Sequence, residues 1–340
     1  MNKIIILFIA FNLIIVAGIA QSERLSFTCY NKGVQYLKKG NFDTAANYFS
    51  AAVYQNAELS KACYNLAYCH YALQNYDSCI KYVDLYMQKN RSAASCYMRG
   101  RCNHQLGKND VAYSDYYTAV VIQPYMSEAY FYMGVIDFYN GDYKRALENF
   151  TMSVNLDPNN KIYRYNRACT YKKMQNYEMA VADFNNAVNL GLDDAEIRSN
   201  IAFCYAMTGN YTRSTTNATI AETIDSAYNK MYDALGRMYF KSQNMKQAVN
   251  CYERGLYYNP DDPVLLNNMS IALFEIGHYE KALTGFNKAL KSNEQDCEVL
   301  LNRGNVKIML HDKIGACNDW DKALSLGANI GDDINKRCGR

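Results

Sequence analysis

A period of 34 residues runs through almost the whole chain and limits what it can fold into. Small residues recur at this spacing, with a single interval of 33. The series comprises Gly33, Ala67, Gly100, Gly134, Ala168, Ala202, Gly236, Ser270 and Gly304. Nine copies in register predict a repeat protein, in which each copy is one small structural unit packed on its neighbours.

Each copy has the pattern of two helices joined by a turn. A second small residue follows the first by 12 residues, and a bulky apolar residue comes 4 later in every copy except the sixth, which has Ala218. Glycines such as Gly141 favour the left-handed turn that ends a first helix. Prolines such as Pro158 end a second helix, since proline cannot continue one. We expect the two small residues to lie where the helices cross.

These residues resemble the tetratricopeptide repeat. The fourth copy carries the pattern in full, as Tyr130, Gly134, Gly141, Tyr143, Ala146, Phe150 and Pro158. The repeats are placed at 26–59, 60–92, 93–126, 127–160, 161–194, 195–228, 229–262, 263–296 and 297–330. The resemblance implies an all-α fold, a right-handed superhelical solenoid of about nine helix-turn-helix repeats over residues 21–330. A short capping helix is expected in residues 331–340.

The first twenty residues lie outside the repeat and have the composition of a secretory signal peptide. Lys3 gives a positive start, an apolar run extends from Ile4 to Val16, and small residues lead to Ala20. The run is shorter than the roughly 20 residues that span a bilayer. We therefore expect cleavage near Ala20 and a protein that is exported, periplasmic or extracellular. A net charge of only +3 does not favour nucleic acid as a partner.

Twelve cysteines in an exported chain raise the question of disulfides. Cysteines at equivalent positions of adjacent repeats are too far apart to bond, because a disulfide needs Cα atoms within about 7 Å. In the tetratricopeptide arrangement the second helix of one repeat runs beside the first helix of the next. This makes Cys79–Cys102 and Cys317–Cys338 the candidate bridges. The segment from Cys317 to Cys338 also resembles the C-terminal cap of secreted repeat proteins of the Gram-negative envelope.

The chain carries no catalytic signature. It has no glycine-rich phosphate loop, no nucleophile elbow and no zinc-protease helix motif. The repeated spacing of Cys63 and Cys69 comes from duplication, and on a helix it points the two thiols to different faces. We expect no enzyme activity, no cofactor and no metal, and a membrane only as a neighbour in the envelope.

The candidate functional surface is the inner face of the first helices, which the resemblance implies is the concave wall. Counting the first residue of each repeat as position 1, position 5 is aromatic in the first five repeats and then loses this character. These residues are Tyr30, Tyr64, Tyr97, Phe131 and Tyr165, and positions 9, 12 and 13 add Tyr68, Tyr71, Phe138 and Tyr139. Tyrosine gives a large contact area at little entropy cost. We expect an aromatic groove that lies outside the inter-helix core.

Position 6 adds a series of asparagines to the same wall. Its members are Asn31, Asn65, Asn166, Asn200, Asn268 and Asn302, with interruptions at Met98, Tyr132 and Ala234. An asparagine amide both donates and accepts hydrogen bonds, so it can pair with a peptide backbone. The series resembles the inner face of the repeat superhelix in O-linked glycosyltransferases, although asparagine is also a common consensus residue there. Repeats that hold an acidic chaperone tail resemble this chain less, because they use a lysine at position 5.

The sequence favours a non-catalytic scaffold or adaptor of the cell envelope that binds extended peptide segments of protein partners. Two alternatives remain at this stage. One is a module associated with glycans or the cell wall, because tyrosines also stack on sugars. The other is an accessory or sensor subunit of a larger envelope complex. The identity of the protein partner is not encoded in any motif.

Overall fold

The protein is a chain of α-helices joined by short turns. A computed structural model describes residues 21–56, 59–226, 229–329 and Cys338, and no β-strand occurs among them. A first helix, α1, occupies residues 21–38. It is followed by α2 (Phe42–Gln55), α3 (Ser60–Ala72), α4 (Tyr76–Met87), α5 (Ala93–Gln105), α6 (Asn109–Ile122), α7 (Ser127–Tyr139), α8 (Tyr143–Leu156), α9 (Lys161–Lys173), α10 (Tyr177–Asn189), α11 (Ala195–Met207), α12 (Tyr211–Ile224), α13 (Asn229–Lys241), α14 (Met245–Tyr258), α15 (Pro263–Glu275), α16 (Tyr279–Ser292), α17 (Cys297–Met309) and α18 (Lys313–Ser325). The predicted all-α class is confirmed.

The chain divides into two compact units, one ending at Pro158 and the other beginning at Asn159. In the first unit, α3 packs on both α2 and α4, and the pairs α5–α6 and α7–α8 form further hairpins. In the second unit the hairpins are α9–α10, α11–α12, α13–α14, α15–α16 and α17–α18. The predicted repeats therefore correspond to helical hairpins on both sides of the division.

The turns inside the hairpins follow the glycine prediction. Gly40, Gly107, Gly141, Gly209 and Gly277 all have a positive φ, between 73° and 81°. In three other repeats a glutamine occupies this left-handed position, and in the last repeat it is His311, with a φ of 63°. A left-handed residue after the first helix is thus the constant feature, and glycine is its usual but not its required form.

The core of each hairpin contains a ring at position 24 that lies against the small residue at position 8. A Cβ atom added to Gly134 would come within 2.8 Å of the Phe150 ring, and one added to Gly100 would come equally close to Tyr116. The ring itself is buried, with Phe150 only 1% exposed. The two small residues lie at the helix crossing as expected, since the Cβ added to Gly100 would also come within 3.2 Å of the Ala112 carbonyl oxygen, and the ring fills the space beside the small residue of the first helix.

The sixth repeat shows how the fold manages without a ring at this position. Ala218 is fully buried there, beside a cluster that includes Met231 and Met238 from α13. Ser214 of the same helix donates a hydrogen bond to the carbonyl of Ala202, with a distance of 2.8 Å. Flexible methionine side chains fill irregular gaps well, so the next hairpin supplies the volume that the missing ring leaves.

Two sequence predictions lie outside the described residues. The proposed signal peptide covers residues 1–20, and the proposed capping segment, residues 331–340, is described only at Cys338. Of that segment, Cys338 is described, and it is bonded to Cys317 of α18 with a Cα–Cα distance of 5.8 Å.

Candidate functional site

The aromatic residues at position 5 serve the core as well as the surface. Ring centroids are 5.7 Å apart for Tyr30 and Phe49, 5.8 Å for Tyr97 and Tyr116, and 5.8 Å for Phe131 and Phe150. Each pair joins position 5 of a first helix to the position 24 ring of its own hairpin. The expectation that groove residues stay outside the inter-helix core is wrong for this position, because one side of each ring packs against the hairpin.

Four of the predicted tyrosines line one open cavity of about 390 Å³ in the first unit. Tyr64, Tyr68 and Tyr71 belong to α3, and Tyr97 belongs to α5. The remaining lining residues are Ala94, Met98, Arg101, Met126 and Glu128. We call this set of nine residues the tyrosine groove. Its side chains are large and mostly apolar, and Tyr68 is 43% exposed, so they offer a ready contact surface.

Arg101 supplies the positive charge of the tyrosine groove. Its guanidinium carbon lies 5.4 Å from the Tyr71 ring centroid, 5.7 Å from that of Tyr97 and 4.6 Å from that of Tyr132. One terminal nitrogen donates a hydrogen bond to the Tyr97 hydroxyl at 3.0 Å. A guanidinium stacked on aromatic faces is held by cation–π attraction. The Nε atom of Arg101 is buried, so the terminal nitrogens are the groups that a planar anion in the cavity would meet.

Burial favours the neutral form of the Tyr71 and Tyr97 hydroxyls still further. Burial raises the pKa of Tyr97 to about 12, and it raises the pKa of Tyr71 as well. Both phenols therefore remain protonated near neutral pH. The pKa of His104, which contacts Tyr116 and Tyr132, is lowered by burial and by the neighbouring Arg101 charge. The charges lining the tyrosine groove are thus Arg101 and Glu128.

Family comparisons identify the repeat. Models described as "Tetratricopeptide repeat" match residues 36–97, 127–160, 163–190 and 230–262. These stretches coincide with hairpins in both units. The chain is a tetratricopeptide repeat protein. Proteins of this family act as scaffolds for protein–protein interaction.

Individual relatives of this tetratricopeptide repeat protein match it over limited stretches. The chain is 32% identical over 107 residues to RNA polymerase II-associated protein 3 of Xenopus tropicalis, which is 32% of this chain and 16% of that protein. A match to tetratricopeptide repeat protein 21B of Mus musculus is 36% identical over 78 residues, 23% of this chain and 6% of that protein. The chain thus spans a small part of the length of these relatives.

Solved structures share the fold at low sequence identity. A tetratricopeptide repeat protein from Parabacteroides merdae has a TM-score of 0.61 at 18% identity, covering 73% of this chain and 98% of that one. The structure of the APC/C hetero-tetramer Cut9–Hcn1 has a TM-score of 0.59 at 13% identity, covering 93% of this chain and 76% of that one. At this level of identity the likeness concerns the fold alone.

The other predicted aromatic residues do not line the tyrosine groove. Tyr30 accepts a hydrogen bond of 3.4 Å from the Asn65 amide. Phe138 packs on Tyr143 with centroids 5.5 Å apart, and Tyr139 beside it is 82% exposed. Phe131 packs on its own hairpin, as described above. Tyr165 belongs to the second unit, where it contacts Phe184 at 5.7 Å.

The asparagines of position 6 are engaged to different degrees. In the second unit the Asn166 amide donates to the Ile162 carbonyl at 2.8 Å, and the Asn268 amide donates to Asp233 at 2.7 Å. Asn200 is buried and accepts a hydrogen bond of 2.6 Å from Lys172. Asn31 is exposed, and Asn302 lines a small cavity of about 130 Å³. These intramolecular partners occupy amides that the sequence predicts to be available to a ligand backbone.

The two candidate disulfides differ in the structure. Cys317 and Cys338 are bonded, whereas Cys79 and Cys102 are free thiols, both fully buried. The pKa of the Cys79 thiol is raised, first by a hydrogen bond with Cys102 and then by burial. The prediction that Cys79 and Cys102 are neighbours is therefore confirmed, whereas the predicted disulfide between them is wrong. Here the thiols pack as small apolar groups between α4 and α5.

Sequence reasoning missed the contributions of Met98, Met126 and Tyr132 to this region. Met98 and Tyr132 occupy position 6, where they appeared only as interruptions of the asparagine series. The sequence contained a sign of this, because the two interruptions, Met98 and Tyr132, fall in consecutive repeats on either side of Arg101.

Within the part of the chain that the structure describes, none of the helices combines the length and the hydropathy of a membrane-spanning segment.

Proposed function

We propose that this protein is a non-catalytic scaffold that binds an extended segment of a protein partner in the tyrosine groove. The observation that carries the proposal is the convergence of Tyr64, Tyr68, Tyr71 and Tyr97 on one open cavity. Tyrosine and arginine are the residues most enriched among binding hot spots. Repeats of this family act as protein-interaction scaffolds, which agrees with this use of the surface.

The composition of the cavity favours a peptide over a sugar. Two methionines, Met98 and Met126, line it together with the tyrosines. Methionine side chains adapt to apolar side chains of varied shape and are common at surfaces that bind different peptides. A sugar requires several polar partners at fixed positions, whereas most of the lining surface here is apolar. The glycan-binding alternative is therefore the second choice.

A selection from random peptides tests the proposal directly. The protein lacking residues 1–20 is used to select peptides of about twelve residues displayed on phage, and the affinity of one selected peptide is measured by fluorescence anisotropy. The double variant Tyr68→Ala, Tyr71→Ala should weaken binding by about 30-fold, which corresponds to about 2 kcal/mol for two hot-spot side chains.

The matched control is Tyr117→Ala in α6. Tyr117 is an exposed tyrosine of the same unit, 58% accessible, and lies outside the tyrosine groove. The Tyr117→Ala variant should bind the selected peptide as tightly as the unmodified protein does. Equal losses in both variants, or a protein that selects no peptide but retains cell-wall glycans on an array, would contradict the proposal.

We also propose that the protein is exported and works in a bacterial envelope. Two features support the export. Residues 1–20 have the charge and hydropathy pattern of a signal peptide, and a disulfide joins Cys317 to Cys338. Disulfides persist mainly in oxidising compartments outside the cytosol. The intact mass of the protein from its native host should correspond to a chain that begins near Gln21; the mass of the full chain would exclude cleavage.

A further inference from the structure

We propose that the tyrosine groove selects partner segments carrying a carboxylate, and that Arg101 is the residue that binds it. This inference rests on the proposed function, because it names the chemistry that the same cavity recognises. It goes further by assigning the specificity to one side chain. The expected ligand is an extended segment with one acidic side chain between apolar ones.

The first argument is the unpaired charge of Arg101. Among the described residues, every other half-buried arginine forms an ion pair with an aspartate, whereas Arg101 forms none with any carboxylate. The paired arginines are Arg99, Arg164, Arg167, Arg198, Arg237 and Arg303. A half-buried cation without a counter-charge is costly unless a ligand supplies one. Arg101 lines an open cavity where a ligand can do so.

The second argument is the way that the surrounding rings orient Arg101. The Tyr132 ring lies 4.6 Å from the guanidinium carbon, and the Tyr97 hydroxyl accepts one of its hydrogen bonds at 3.0 Å. Three rings hold the guanidinium through their faces, and none of them contributes a carboxylate that could pair with it. The planar group can then pair with a carboxylate through its terminal nitrogens while its face stays on a ring.

The third argument is the local break in the asparagine series. Position 6 is Met98 in the repeat that contains Arg101 and Tyr132 in the following repeat. Both replacements lie at this site, Met98 in the cavity wall and Tyr132 against the guanidinium. At these two positions the chain presents apolar and aromatic surface around a cation. This arrangement suits an acidic side chain flanked by apolar ones better than it suits a bare backbone.

Glu128 contributes a negative charge of the protein's own to the tyrosine groove. It lines the same cavity from the first turn of α7 and is exposed. Its carboxylate opposes the approach of a second negative charge. Removing that charge in Glu128→Gln should therefore strengthen the binding of an acidic segment, by a few-fold at low salt.

The experiment extends the phage selection described above. Selected peptides are synthesised with blocked ends, each with its acidic residue and with the corresponding amide. We expect the selected sequences to share one Asp or Glu at a fixed place, and the acid-to-amide change to weaken binding at least tenfold. In Arg101→Gln this acid–amide difference should disappear. In Lys108→Gln, which removes an exposed positive charge of the same repeat, it should remain.

Two further measurements guard against a trivial loss of structure. Arg101→Lys keeps the charge but not the planar edge, and should retain a reduced preference for the acid. In the unmodified protein, a carboxylate bound to Arg101 neutralises the charge that helps to lower the pKa of His104. The NMR titration of His104 should therefore move to higher pH with the acidic peptide and not with its amide.

Peptides with a free C-terminus show whether a terminal carboxylate can replace the side chain.

The outcomes separate the two proposals. Selected peptides without an acidic preference, or an acid–amide difference that survives in Arg101→Gln, would overturn the role of Arg101 and leave peptide binding intact. A protein that selects no peptides would overturn the proposed function, and this inference with it.

Discussion

At the scale of single residues, the tyrosines of position 5 have two roles, and only one could be foreseen. Their large rings marked them as surface contacts. The structure shows that Tyr97 also packs on Tyr116, a ring that is fully buried in the same hairpin. Sequence alone does not separate these roles, because the same ring satisfies both. Tyr68, which comes at position 9, is the better choice for a binding variant since it is more exposed.

Asp137 gives a prediction at this scale. Its carboxylate is buried, and burial raises its pKa despite a hydrogen bond of 2.8 Å from the Asn149 amide. A carboxyl whose pKa is raised by folding adds stability below its ordinary pKa of about 4, and this contribution is lost as pH rises through the raised value. Asp137→Asn keeps an oxygen acceptor without the charge.

We therefore expect Asp137→Asn to gain stability relative to the unmodified protein as pH increases from about 3 to 7, the range in which this carboxyl ionises. Urea unfolding at a series of pH values measures the effect. Glu148→Gln, an exposed acid of α8, serves as control and should leave the pH dependence unchanged. Parallel curves for Asp137→Asn and the unmodified protein would show that burial does not perturb this group.

At the scale of the helices, a recurring ion pair joins the two helices of several hairpins. Arg167 of α9 makes two hydrogen bonds with Asp183 of α10, at 2.6 and 2.8 Å. The pairs Arg99–Asp115 and Arg303–Asp319 repeat this arrangement at the same 16-residue separation. The sequence contained this signal, as an arginine at position 7 and an aspartate at position 23. This signal is hard to recognise, because the repeats without the pair interrupt its period.

Breaking one such pair should be costly. Asp183 is 5% exposed, so Asp183→Ala leaves the Arg167 guanidinium buried without its counter-charge. We expect a loss of about 3 kcal/mol in the free energy of unfolding, measured by urea denaturation. The control is Glu178→Ala, an exposed acid in the first turn of α10, which should cost less than about 0.5 kcal/mol. Similar losses in the two variants would mean that the ion pair contributes little.

At the scale of the whole molecule, the periodicity predicted the helices and their pairing but not the division at Pro158. Hairpins follow from local signals, namely small residues, turn glycines and prolines, and these recur without a break. Where a chain separates into compact units depends on packing between distant residues, and no single position records it. The aromatic series of position 5 is thus continuous in the sequence, although Tyr165 lies in a different unit from Tyr30, Tyr64, Tyr97 and Phe131.

The disulfide near the end of the chain gives the prediction at this scale. Cys317 and Cys338 are separated by 21 residues, and closing a loop of this size stabilises a fold by about 3 kcal/mol in the chain-entropy estimate. Cys338→Ser should lower the melting temperature under non-reducing conditions, and reduction of the unmodified protein should have the same effect. Cys297→Ser, which changes a free cysteine of α17, is the control and should change little. Recovery of both Cys317 and Cys338 as free thiols in non-reducing peptide mapping would exclude the bridge.

The residues of position 5 both contact the ligand and pack in the hairpin, and this restricts how the surface can evolve. A mutation at Tyr97 alters the ligand contact and the hairpin together, because the ring packs on Tyr116. Tyr68 and Arg101, both at position 9, line the cavity and have no such position 24 partner among the described ring contacts. We therefore expect ligand preference to change first through mutations at position 9, because such a mutation does not remove a ring that packs in the hairpin core. Comparison of sequences from related species should show more variation there than at position 5.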